Sequence, residues 1–88
     1  MIAYERTTLA NGLTVAVNRD RASKLAAVNI LYKVGARNEN PARTGFAHLF
    51  EHLMFRGTRE VPNFDLPVQM ASGDNNAFTN NDYTDFYI

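Results

Sequence analysis

His48-Leu49-Phe50-Glu51-His52 holds both histidines of this 88-residue chain. It sits in a run that begins near Phe46 and continues through Leu53-Met54-Phe55-Arg56 to Gly57. Apolar residues at 46, 49, 50, 53 and 54 recur with the spacing of an α-helix. On a helix, His48 and His52 lie one turn apart along the axis and about 40° apart around it. Glu51 falls about 60° from His48 and about 100° from His52, so the three side chains share a face. Two imidazoles one turn apart on a rigid support, with a carboxylate between them, are a donor set suited to zinc.

The helix is expected to start between Pro41 and Gly45. Thr44 could serve as N-cap, or Asn40 could cap with Pro41 at the first helical position. Gly57 makes a natural stop after Arg56. A helix this apolar reads as a buried one, with its three polar residues facing a lined cavity.

Outward from the helix, the pattern is that of strands. Ala10-Asn11-Gly12 separates Tyr4–Leu9 from Leu13–Asn18, and Asn-Gly between β-prone runs signals a hairpin. Leu25 to Val34 is apolar enough for a central strand covered on both sides. Phe64 to Ala71 reads as a shorter helix, with Pro67 in its first turn. Asn75 to Ile88 reads as two strand segments around Asn80-Asn81-Asp82. The expected fold is α+β: a mixed β-sheet with an N-terminal hairpin, a long central strand and a returning strand, packed by the motif helix. Thr84-Asp85-Phe86-Tyr87-Ile88 is strand-like with no polar tail, so residues 1–88 are expected to be the N-terminal part of a single domain, truncated at its C-terminus.

Composition narrows the function. Nine basic and nine acidic residues give a formal net charge of zero, which offers no footprint for nucleic acid or an anionic membrane. No apolar run approaches the twenty or so residues of a membrane span. Without cysteine there is neither a disulfide framework nor a thiolate metal site. Met1 to Thr8 lacks the apolar core of a signal peptide, and compartment is not legible.

A catalytic zinc site needs three protein ligands and an open position. His48 and His52 supply two. Glu51, adjacent to a ligand, is better suited to act as general base than to bind the same ion. The third ligand is not evident. For Glu39, Glu60, Asp65, Asp74, Asp82 and Asp85 a solvated surface role is expected.

Arg43-Thr44-Gly45-Phe46-Ala47-His48-Leu49-Phe50-Glu51-His52-Leu53-Met54-Phe55-Arg56-Gly57-Thr58 resembles the signature of the pitrilysin family of zinc peptidases with the inverted motif H-x-x-E-H. That family includes insulysin and the mitochondrial processing peptidase. Asn76-Ala77-Phe78-Thr79, followed by Asp82, Thr84 and Tyr87, resembles the family's second block, and the short form looks most like the bacterial and processing-peptidase branch.

The resemblance implies a zinc-dependent endopeptidase acting on peptides or unfolded segments, with His48 and His52 as Zn2+ ligands and Glu51 as catalytic base. It implies a third ligand, a glutamate on a later helix. It casts Asn76, Ala77, Phe78 and Thr79 as the strand against which a peptide substrate pairs, and Phe55 as a residue near the substrate pocket. It also implies a second family half or a partner subunit. The competing reading is a non-catalytic peptide-binding or assembly subunit of the same family, against which the intact His48, Glu51 and His52 argue.

Overall fold

The computed structural model describes residues 2–88. Strands β1 (Glu5–Thr8) and β2 (Thr14–Val17) form an antiparallel hairpin. Its turn closes through Leu9 N–H to Leu13 C=O at 2.8 Å, and the Asn11 side chain accepts from Leu13 N–H at 3.0 Å. Strand β3 (Asn29–Tyr32) follows, then helix α1 (Phe46–Phe55), helix α2 (Asp65–Met70), and strands β4 (Asn76–Thr79) and β5 (Thr84–Tyr87). The last three strands form one sheet in the order β3-β5-β4.

The α+β class is as expected, but the sheet differs in three respects. The hairpin is a separate two-stranded sheet, and every pairing is antiparallel, so the sheet is not mixed. The central strand is β5, not the Leu25–Val34 run, of which only Asn29–Tyr32 is strand, at the sheet's edge. The tight turn at Asn80–Tyr83 forces β4 to lie beside β5, and β3 takes the other side. Helix α1 packs on β4 and β5, not on the hairpin.

The helix begins one residue after Gly45, which sits at φ +91. Neither Thr44 nor Asn40 caps it. Glu39 does so from the preceding loop: its carboxylate accepts from Ala47 N–H and from Gly45 N–H, both at 2.6 Å. These two bonds hold the Glu39 carboxyl below the usual glutamate range. Such a carboxylate also suits the positive end of the helix dipole. At the other end, Gly57 takes φ +88, where a Cβ would stand 2.5 Å from the Pro62 carbonyl oxygen and 2.6 Å from that of Val61. Only glycine fits that turn.

The expectation of a buried helix fails. Among the described residues no hydrophobic side chain is fully buried, and on α1 Phe46, Leu49, Phe50, Leu53 and Met54 are all about half exposed. An apolar space of about 650 Å³ opens between α1, the loop that follows it and the sheet, edged by Leu53, Met54, Val61, Phe64 and Phe86. The accessible surface is 8077 Å². A compact protein of this mass exposes roughly 5200 Å². The radius of gyration, 15.6 Å, likewise exceeds the roughly 12 Å of a compact chain this long. The sequence pattern encodes a face to be covered, and these residues alone do not cover it.

Candidate metal centre

Helix α1 aims both imidazoles to one point. His48 Nε2 and His52 Nε2 are 2.8 Å apart, with ring centroids 4.6 Å apart and planes tilted by 31°. One of the two nitrogens must carry a proton to make that contact. Zinc bound by two imidazoles at 2.0–2.1 Å in tetrahedral geometry sets their nitrogens about 3.3 Å apart. The rings therefore fit a shared zinc ion after a slight opening. Both histidines are solvent-exposed, as an open coordination site requires.

Glu51 completes the cluster: the donor atoms of His48, Glu51 and His52 all lie within 4.8 Å of one another. It is the buried residue of α1, 8% exposed. An ionised carboxylate in such a place needs a hydrogen-bond donor. Thr79 of β4 provides it, its hydroxyl donating to Glu51 Oε2 at 2.7 Å. The Thr84 hydroxyl lies 3.2 Å from that of Thr79 and donates to the Val34 carbonyl at 2.9 Å.

The sheet puts β4 at its edge beside this cluster. Asn80 N–H donates to the Tyr83 carbonyl at 3.0 Å, so the hydrogen-bonded pairs beyond it are Phe78–Asp85 and Asn76–Tyr87. The reciprocal bonds between Val28 and Ile88, at 3.0 and 2.9 Å, fix the same alternation along β5. The N–H and C=O of Ala77 and Thr79 therefore face the free edge, and those of Asn76 and Phe78 face β5. Of the four residues expected to meet a peptide, two direct their main chain outward. The Ala77 N–H is occupied by the side-chain oxygen of Asn76 at 2.8 Å.

The other carboxylates divide. Asp82 pairs with Arg37 at 3.1 Å on the surface, and Asp65 accepts from Asn75 at 3.1 Å. Glu39 caps the motif helix, as described, in place of the free surface role expected. Asp85 corrects its expectation outright. It is 8% exposed, accepts from the Asn29 amide at 2.9 Å, and its Oδ1 has no partner among the described residues. Its position on the central strand, flanked by β3 and β4, accounts for the burial. Phe55 stacks edge-on against Phe64 at 5.9 Å and lies 6.4 Å from Phe86, a packing role. Among the described residues no helix is long and apolar enough to cross a membrane.

Known proteins resemble this chain in sequence and in fold. The sequence pattern of the insulinase family, peptidase family M16, matches residues 14–88. Zinc protease PqqE of Helicobacter pylori is 40% identical over 88 residues, covering 97% of this chain and 20% of that protein. A probable mitochondrial-processing peptidase subunit beta of Arabidopsis thaliana is 36% identical over 83 residues, covering 92% of this chain and 16% of that protein. The crystal structure of a protease from Helicobacter pylori aligns with a TM-score of 0.88 at 37% identity, over 98% of this chain and 21% of that one. The chain thus spans about a fifth of the length of these relatives. With its H-x-x-E-H helix, its edge strand and this extent of likeness, the chain belongs to peptidase family M16, the insulinase family.

Proposed function

We propose that residues 1–88 are the N-terminal part of a larger zinc metalloendopeptidase domain that hydrolyses peptide bonds in peptides or unfolded segments. The observation that carries this reading is the placement of Glu51: buried, next to two convergent imidazoles, and tied to the strand whose free edge can receive a peptide.

His48 and His52 would hold the metal, with a third ligand, a carboxylate, from a later part of the same protein. When bound there, zinc is a Lewis acid that brings the pKa of a water close to neutrality. Glu51 acts beside it as general base. Its Oε2 is engaged by Thr79, which leaves Oε1 to take a proton and return it to the departing amine. Ala77 and Thr79 offer main-chain groups to a peptide added as a further strand, a mode that accepts varied sequences. The apolar face of α1 and the sheet is suited to cover by the rest of the domain, and a second family half or partner subunit would complete the enclosure. The names of the relatives, zinc protease and processing-peptidase subunit, support the same reading.

The test is Glu51→Gln in the full-length protein, assayed for zinc content and for cleavage of a quenched peptide in one sample. Cleavage should fall by about 10² to 10⁴ with zinc retained. Activity near wild type would refute the base role, and loss of zinc would make Glu51 a ligand. The non-catalytic alternative predicts no cleavage by the wild-type protein at all.

A further inference from the structure

We infer that Thr79 is a positioning residue for Glu51, backed by Thr84 and the Val34 carbonyl. The inference rests on the reading of Glu51 as general base. Thr79 sits on β4, whose main chain the functional reading offers to a peptide. Its side chain points the other way, under α1, and reaches Glu51 Oε2 at 2.7 Å. It is the hydrogen bond found on that carboxylate among the described residues.

The pairing of the strands builds the support. Thr79 and Thr84 are a non-hydrogen-bonded pair of the β4–β5 ladder, the kind that brings facing side chains closest. Their hydroxyl oxygens are 3.2 Å apart, and Thr84 is itself only 7% exposed. Thr84 in turn reaches the Val34 carbonyl at 2.9 Å. The row of oxygens runs from the backbone just past β3 to the carboxylate beside the imidazoles.

The bond fixes Oε2 of Glu51 against the sheet, which leaves Oε1 as the oxygen free for proton transfer.

The experiment compares Thr79→Val, Thr79→Ser and Glu51→Gln in the zinc-loaded full-length protein. Valine keeps the shape and the main-chain groups that a peptide would meet, and loses the hydroxyl. The expected result is full zinc content, KM within about twofold, and kcat lowered by about ten- to a hundredfold, with most of it restored in Thr79→Ser. A raised KM with unchanged kcat would overturn the inference in favour of a substrate-strand role alone. Serine as poor as valine would overturn it in favour of methyl packing. Wild-type kinetics in Thr79→Val beside a dead Glu51→Gln would overturn this inference and leave the base reading intact. A fully active Glu51→Gln would instead overturn the base reading. Independently of activity, metal-free Thr79→Val should be destabilised relative to wild type, and the loss should be smaller in a Glu51→Ala background. Equal losses in both backgrounds would refute the contact.

Discussion

Proline substituted at neighbouring positions of β4 should have opposite consequences. At Ala77 the N–H faces the free edge, where proline is tolerated. Ala77→Pro in the full-length protein should leave zinc and fold in place and remove one main-chain bond to an added peptide. Such a bond contributes about 0.5–1.5 kcal/mol net, or roughly two- to thirteenfold in kcat/KM. The Ala77 N–H already has a partner in the Asn76 side chain, which a peptide must displace, so the lower half of that range is expected. At Phe78 the N–H faces Asp85 across the ladder. Phe78→Pro would strand the carbonyl of a buried residue, at a cost of about 1–3 kcal/mol before any backbone distortion. Steady-state kinetics on a quenched peptide and urea unfolding midpoints measure the two effects. If Ala77→Pro proves the more destabilising, or if Phe78→Pro is stable and selectively weak in peptide binding, the assignment of the free edge is wrong.

His48→Ala or His52→Ala should remove zinc and cleavage together, because one histidine and a carboxylate are too few ligands; stoichiometric zinc by elemental analysis of either variant would contradict this. Glu39 has a folded pKa below its usual value, so its contribution to stability is complete above the usual glutamate range and is lost as pH falls through the lowered pKa. Glu39→Gln should therefore flatten the acid limb of the stability curve, and superimposable acid limbs would count against the cap. Gly57→Ala should cost at least about 2 kcal/mol in urea unfolding, since it adds backbone collision to a left-handed conformation. Gly45→Ala, at a similar φ but with open space around its Cβ, should cost less, and the reverse order would refute the packing at the helix end.

What was legible in the sequence was local. The motif helix and both hairpins follow from spacings of a few residues, and the structure forms them close to the expected limits. The Glu51 position among the histidines is likewise fixed by helix geometry alone. What was not legible depends on distant partners. Asn29 meets Asp85 across 56 positions and Thr79 meets Glu51 across 28, so neither the burial of Asp85 nor the side-chain role of Thr79 has a sequence signature. The apolar run before Val34 suggested a central strand because its composition anticipates cover on two faces. Order within a sheet is set by which neighbours arrive, and here β5 has one on each side. The Glu39 cap has no sequence signature because it reaches the helix from six residues before Gly45, outside the usual capping positions.

The uncovered apolar face has a thermal consequence. The surface in excess of a compact chain is roughly 2900 Å², and protein surface is a little over half apolar. Closing it would lower the heat capacity by roughly 0.4 kcal/mol/K. An attachment of that kind draws little enthalpy near room temperature and depends on the release of ordered water, a driving force that weakens on cooling. The junction between this segment and whatever covers it should therefore be tightest at moderate temperature and loosen toward the freezing point as well as on heating.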